Sequence, residues 1–342
     1  MTHAAPDISA ISLEAIHANT NTLARDVRRT PCLTLDSGVV SDMLGGGQAV
    51  LKLECFQHTG TFKARGALSV ARGLDQAQLT RGITAASAGN HAIAAAWAAR
   101  KVGASAKVVI QSNANPFRIA LAKAQGAEVV IKAPGPDTFA EAERLMAEEG
   151  RHFIHPFEGP LTSLGTAGVG LELMQDADDL DAVIVSIGGG GLISGVAAAV
   201  KQINPACKVY GVEPMGAAGM QKSLAGGGPV TLDGVNTVAD SLGAPMTLPL
   251  GHALCAAYVD EVVLLDDDMI CAGMVAFQQE AKLAVEPAAG AALAAALGPL
   301  RARLSGLKTG IIVCGANIDV ATYQTLITRG LPVYDALLAT HG

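Results

Sequence analysis

Nineteen consecutive residues without a charge, Ala182 to Val200, constrain this chain more than any other stretch. Their length approaches that of a membrane-spanning helix. Four glycines in a row, Gly188, Gly189, Gly190 and Gly191, stand at the centre and would break such a helix. The stretch therefore reads as a buried strand (182–187), a glycine loop and a helix (192–203). An apolar strand without polar alternation needs cover on both faces, as in the parallel sheet of an α/β protein. Half of the residues are hydrophobic and 16% are charged, so the chain has the apolar content to build a large core. A net charge of -7 and only 4% aromatics argue against nucleic-acid binding. Neither a membrane span nor a signal peptide is expected, because the first thirty residues are charged and lack an apolar run. The six scattered cysteines form no CxxC pair and fit buried thiols in a reducing, cytoplasmic compartment.

Strand-like and helix-like stretches alternate along the rest of the chain. Strands are predicted at 50–56, 82–87, 107–111, 128–132, 152–155, 208–212, 262–265 and 310–313. Helices are predicted at 12–28, 92–102, 117–125, 138–149, 268–282 and 287–307. The alternation argues for an α/β fold with open, mostly parallel twisted sheets flanked by helices. No linker or internal repeat divides it.

Four junctions between a strand and a helix carry candidate chemistry. At the first, Thr59-Gly60-Thr61-Phe62-Lys63-Ala64-Arg65-Gly66-Ala67, Gly60 supplies a turn and Thr61 is placed to cap the helix. A lysine there can point into a cleft; an ordinary surface lysine is the alternative. At the second, Ser87-Ala88-Gly89-Asn90-His91, a turn feeds a helix N-terminus whose free N–H groups and positive dipole end suit a carboxylate. A plain glycine turn is the alternative there. The third is the glycine loop, which ends at Leu192. Its bare amides can close around a phosphate. Ser194 stands where a dinucleotide fingerprint needs its last glycine, so a monophosphate fits better than a pyrophosphate. The fourth is Val313-Cys314-Gly315-Ala316-Asn317-Ile318-Asp319, in which Cys314 is either a small buried hydrophobe or a cofactor contact.

Together, and in this order, the four motifs resemble those of the serine/threonine dehydratase and serine racemase family, the fold-type II pyridoxal-phosphate (PLP) enzymes. Three further segments also match: His155-Pro156-Phe157-Glu158, Thr237-Val238-Ala239-Asp240 and the run from Lys282 to Ala288. The resemblance covers the chain from about Thr30 to Asp319. It implies a two-domain enzyme, with residues 1–84 and 159–342 in a large PLP-binding domain and 85–158 in a small inserted one. It makes Lys63 the Schiff-base lysine and gives the phosphate to Gly188, Gly189, Gly190, Gly191 and Leu192. The substrate carboxylate falls to Ser87, Ala88, Gly89, Asn90 and His91, and the ring hydroxyl to Asn90. Cys314 falls at the pyridine nitrogen, and Phe62 and Glu286 near the ring. Glu286, preceding Pro287, also reads as a residue that favours the helix dipole. A neutral thiol cannot protonate the pyridine nitrogen as an Asp would, which favours elimination.

Departures from the family pattern sharpen the expectation. Ala88 replaces the serine with which racemases act on the second cofactor face, and racemisation needs an acid and a base on opposite faces. Gly219 replaces the aspartate of the divalent site that would include Glu213, so no metal is expected. Ser241 replaces a glycine, and Gly165-Thr166-Ala167-Gly168 departs from GQGT. Phe139 stands near a racemase arginine, favouring a small or apolar side chain on the substrate. The chain ends soon after Asn317, so no C-terminal regulatory domain is expected. The expected activity is a PLP-dependent dehydratase (ammonia-lyase) acting on a β-hydroxy α-amino acid, as a homodimer. The alternatives are a β-replacement enzyme, an amino-acid racemase or a non-catalytic ligand-binding relative.

Overall fold

The computed structural model describes residues 6–87, 89–133 and 136–340. Among these, the strands are β1 (Cys32–Thr34), β2 (Gln48–Lys52), β3 (Ile83–Ser87), β4 (Ala106–Gln111), β5 (Glu128–Lys132), β6 (His152–Phe153), β7 (Ala182–Ser186), β8 (Lys208–Pro214), β9 (Glu261–Leu265) and β10 (Lys308–Ile312). They form a six-stranded sheet in the order β1-β2-β10-β7-β8-β9 and a four-stranded sheet in the order β5-β4-β3-β6. Every pairing is parallel except that of β1 with β2. β7, the strand of the uncharged stretch, is buried along its whole length at the centre of the larger sheet. The helix Pro287–Leu297, buried at every residue, covers that sheet, and its alanines let the backbone come close.

The helix Lys63–Arg72 rests on a cluster of buried charges. Arg65 donates to Glu54 through Nε (2.8 Å) and Nη2 (2.9 Å), and to both oxygens of Glu172 at 2.8 Å. Lys52, on β2, donates to Glu172 and to the Thr30 carbonyl, each at 2.7 Å. Two cations face two carboxylates, and all four residues are buried. Glu172 comes from the helix Pro160–Asp176 and Glu54 from the single turn Glu54–Phe56, so the cluster joins four elements.

Several predicted bounds give way to tertiary contacts. The strand expected at 50–56 stops at Lys52, and the chain turns through two single-turn helices, Glu54–Phe56 and His58–Gly60. Cys55 N donates to the Val313 carbonyl at 2.9 Å, which pulls the chain over the end of β10. The first helix is Leu13–Leu23 and stops short of 28. The strand at 152–155 is only β6. The helix expected at 268–282 is regular over Asp267–Ala276, then widens into a π turn that closes on Lys282 at φ 59°. The long helix at 287–307 breaks at Gly298 and resumes as Arg301–Leu304. Pro160–Asp176 was not expected, because Gly165, Gly168 and Gly170 lower its helix propensity. Packing explains two of them: a Cβ on Gly165 would sit 2.7 Å from the Arg65 carbonyl, and one on Gly170 2.8 Å from that of Val196. Gly219–Gly226, Pro249–Tyr258 and Val320–Ala339 were likewise unforeseen. No helix among the described residues is long and apolar enough to cross a membrane.

Removing one member of the charge cluster leaves an opposite charge buried without compensation. Arg65→Met is expected to lower the unfolding free energy of the cofactor-free protein by about 3–5 kcal/mol, measured in urea. A loss under about 1 kcal/mol would show that water reaches the cluster.

Candidate active site

A cavity of about 700 Å³ opens between the two sheets, where the C-terminal ends of their parallel strands meet. Open α/β sheets bind ligands at such ends. The larger sheet contributes Phe62 and Lys63 after β2, Gly188, Gly189, Gly191 and Leu192 after β7, and Cys314 after β10. The smaller contributes Ser87, Gly89, Asn90 and His91 after β3, and Glu286 lies on the wall as well. Gly190 is not in the lining. It takes φ 95°, and a Cβ there would meet Met220 at 2.7 Å, so it shapes the turn from behind. Ala88 lies outside the described residues.

Lys63 opens its helix behind Phe62, which makes no side-chain capping bond. Thr61, expected as the cap, accepts only a long bond from Lys63 N at 3.4 Å. Its backbone instead bridges to Gly315, and Phe62 N donates to the Cys314 carbonyl at 3.1 Å. The lysine is therefore stitched to the loop carrying Cys314. Lys63 Nζ donates to the Pro156 carbonyl at 2.5 Å. Burial lowers its pKa to about 8, although Cys314 and Glu286 pull the other way.

Two histidines stand close by, both neutral. Burial pushes His91 down to about 3, and its Nε2–H donates to the Ile154 carbonyl at 2.7 Å. Burial takes His155 down to about 4, and its Nδ1 accepts from the amides of Phe157 (3.2 Å) and Glu158 (3.0 Å). Burial also keeps the Cys314 thiol protonated.

The glycine loop presses against the 155–158 segment. A Cβ on Gly189 would run into the Phe157 ring, and one on Gly191 would lie 2.6 Å from the Phe157 Cα. The helix Gly191–Ile203 starts without a side-chain cap, so its first amides have no side-chain acceptor. Ser186 Oγ, on the cavity wall at the end of β7, is buried without a partner. An uncapped helix end, a glycine turn and an orphan hydroxyl fit a phosphate group, and the amine nearby fits a carbonyl.

Asn90 sits at the centre of a polar network. Its Nδ2 donates to Glu286 (2.9 and 3.0 Å) and to Ser241 Oγ (3.2 Å), and its Oδ1 accepts from Asn317 Nδ2 at 2.9 Å. Glu286 occupies the cap position of the helix Pro287–Leu297 but makes no capping bond with its side chain. Its carboxylate faces Asn90 and accepts from Asn317 N at 3.1 Å, so it serves the cavity rather than the helix end. Arg118 reaches the same network and has no sequence signal of its own. Asn317 lies within the fourth motif, but its side-chain role was not foreseen. Glu213 accepts the amides of Met220 (2.7 Å) and Gln221 (2.9 Å) at the start of the helix Gly219–Gly226. Among the described residues no group of three His, Cys, Asp or Glu side chains is placed to hold a metal.

A buried amine able to bond a carbonyl, beside a glycine turn able to seat an anion, is the arrangement that a phosphorylated carbonyl cofactor would need. The chain belongs to the pyridoxal-phosphate dependent enzyme family, whose model matches residues 23–315. It is 45% identical to the phenylserine dehydratase of Ralstonia pickettii, over 95% of this chain and 97% of that protein. It is 37% identical to the L-threonine ammonia-lyase of Thermotoga maritima, over 94% and 79%. Its fold matches that of maize serine racemase with a TM-score of 0.87 at 35% identity, covering 95% of this chain and 99% of the other.

The lowered pKa of Lys63 makes a measurable claim. The neutral amine is the reactive form, so the rate at which the cofactor-free protein takes up PLP covalently should rise with pH, with a midpoint near 8. Borohydride trapping at short times reads this rate. A midpoint near that of free lysine would mean that Nζ is solvated.

Proposed function

We propose that the protein is a PLP-dependent dehydratase that removes water from a β-hydroxy α-amino acid, and that its preferred substrate carries an apolar, aryl-sized β-substituent. The observation that carries the reaction is one amine with a pKa near 8, facing the same cavity as an uncapped helix N-terminus and the 87–91 loop. Identity to the phenylserine dehydratase supports the substrate class.

Bound at this site, PLP supplies an electrophilic carbonyl and a conjugated ring that withdraws electrons from the substrate Cα. Lys63 holds the cofactor at rest. The glycine turn and the first amides of the helix Gly191–Ile203 hold the phosphate. The substrate carboxylate docks at the 87–91 loop, where the helix Asn90–Lys101 begins without a side-chain cap. Freed by the incoming substrate amine, Lys63 takes the Cα proton. The Cβ–O bond breaks, and the hydroxyl leaves as water with the proton that Lys63 took from Cα. The released enamine hydrolyses to a 2-oxo acid and ammonium. Cys314, held as a neutral thiol, would not protonate the ring nitrogen of a bound PLP, which would favour loss of the β-hydroxyl with its electrons. Alanine at position 88 gives no second acid or base, which disfavours racemisation.

The β-substituent must project away from both Lys63 and the carboxylate loop. That part of the cavity carries Phe139 on the smaller-sheet side and Val235 on the other, 39% and 37% exposed at its mouth. The reading also includes the inserted small domain at 85–158, supported by the separate sheet β3–β6, a cytoplasmic location, supported by free thiols at all six cysteines, and a homodimer, which rests on the family resemblance alone.

The test is release of ammonium and 2-oxo acid from serine, threonine and phenylserine, with Lys63→Ala as the inactive control. Phenylserine should give the highest kcat/KM. Phe139→Arg should lower that value about tenfold or more while changing serine turnover less. A preference for serine would remove the aryl assignment and leave the dehydratase intact. No release from any substrate would remove both.

A further inference from the structure

Arg118 is the one cation that crosses from the smaller sheet's helices to the cavity-side residues of the larger sheet among the contacts described above. It lies in the first turn of the helix Pro116–Ala124, which follows β4, and its side chain is only 6% exposed. Nε donates to the Asn317 carbonyl at 2.9 Å, Nη1 donates to Asp240 at 2.6 Å, and Nη2 stands 3.7 Å from Glu286 Oε2. All three partners belong to segments that flank the larger sheet. The guanidinium packs directly beneath the 87–91 loop, since a Cβ on Gly89 would run into Arg118 Cδ. The glycine of that loop therefore makes room for the arginine.

Through Glu286 the arginine reaches Asn90. An amide side chain can turn either way, and its partners decide which. With Glu286 ionised, the carboxylate can only accept, so Nδ2 must face it and Oδ1 must face Asn317. One N–H of Asn90 is then spent on Glu286, and the other points towards Ser241 on the cavity wall. Protonated, Glu286 would become a donor and stop accepting from Nδ2, leaving only the bond from Asn317 Nδ2 to Oδ1, whose donor the Thr59 carbonyl fixes at 2.7 Å, to orient the amide. Burial raises the Glu286 pKa above its ordinary value even with Arg118 in place, and Arg118 is the main group opposing that rise. The other charged or titratable groups facing Glu286 are Asp240, beside Arg118, and Lys63, Cys314 and Cys55 across the cavity floor.

We propose that Arg118 is a positioning residue: it holds Glu286 as a carboxylate, Glu286 fixes the direction in which Asn90 donates into the cavity, and the cofactor meets an amide already turned towards it. The inference rests on the cofactor site alone and stands or falls independently of the substrate.

The experiment measures the PLP dissociation constant by absorbance titration of the cofactor-free protein between pH 6.5 and 9. Parent, Arg118→Met, Arg118→Lys and Arg118→Met/Glu286→Gln are compared. The quantity read is the ratio of each variant's constant to the parent's at the same pH, after each protein's own Lys63 titration, taken from its covalent-uptake midpoint, is divided out, because Glu286 raises the Lys63 pKa. In Arg118→Met the Glu286 carboxyl loses its counter-charge and protonates at a higher pH. The ratio should be about ten or more at pH 6.5 and shrink towards pH 9 as the carboxylate returns. The double variant has no titrating group at 286, so its ratio should be flat with pH. Arg118→Lys keeps the charge and should stay within about threefold of the parent at every pH. A pH-independent ratio for Arg118→Met would make the arginine a plain brace and overturn the proposal. Should Arg118→Met fail to fold, a ratio above ten or a strong pH slope in Arg118→Lys would overturn it as well.

Discussion

The bond between Arg65 and its two carboxylates, Glu54 and Glu172, is the constraint on which the rest of the site depends. Arg65 lies two residues after Lys63 on the same helix, so anything that turns this guanidinium also turns the lysine. The cluster is expensive to assemble, because each ion leaves water. Its geometry repays that cost: the Arg65 fork meets both carboxylates at 2.8–2.9 Å, and Lys52 adds a second donor to Glu172 Oε2. The return is angular precision. A hydrophobic helix face could slide or rotate by a fraction of a turn, whereas a forked cation between two fixed anions cannot. The Lys63 amine, which on the proposed function meets both a cofactor carbonyl and a substrate Cα, is thereby aimed from below.

Above the lysine, the architecture brings together residues far apart in sequence. The ends of β2, β3, β7 and β10 converge from two sheets, each delivering a short loop into one cavity. Two of those loops feed directly into helices that begin without side-chain caps, Asn90–Lys101 and Gly191–Ile203. A helix usually satisfies its first amides with a Ser, Thr, Asp or Asn. Leaving them free at two neighbouring helix ends suits two anions, and the ligands of the proposed reaction carry two, a phosphate and a carboxylate.

Much of this was legible because it is local. The central strand and its glycine loop follow from nineteen uncharged residues, and the Lys63 motif follows from a strand, a turn and a lysine in sequence. What escaped is what depends on distant partners. For Glu286 the resemblance points to the ring while its own neighbours point to the helix dipole, because a Glu before a proline normally serves it; the contact with Asn90, nearly two hundred residues away, is what turns it into the cavity. Arg118 follows an Asn-Pro-Phe run that reads as an ordinary helix start. The helix Pro160–Asp176 was hidden by its glycines, which lower propensity locally yet let Arg65 and the helix Gly191–Ile203 approach closely. In each case the sequence carries the residue, and the reason lies in a neighbour that only the fold supplies.

The same long-range packing settles which basic group around the cofactor can move a proton. Lys63, His91 and His155 lie close enough that a charge on the lysine disfavours one on either imidazole. Burial lowers all three, but from different starting points: the lysine falls to about 8, and the histidines to about 3 and 4. Hydrogen bonding reinforces the separation at His155. Its Nδ1 accepts from two backbone amides, so protonation would turn an acceptor into a donor facing two donors. His91 can keep its Nε2–H on the Ile154 carbonyl in either state, and for it the burial itself is decisive. Near neutral pH only one of the three changes its protonation readily, and it is the one tied by its helix to the Arg65 cluster. A single exchangeable proton on one side of the cofactor suits elimination, where one group removes the Cα proton, better than racemisation, where a second must deliver one from the opposite face.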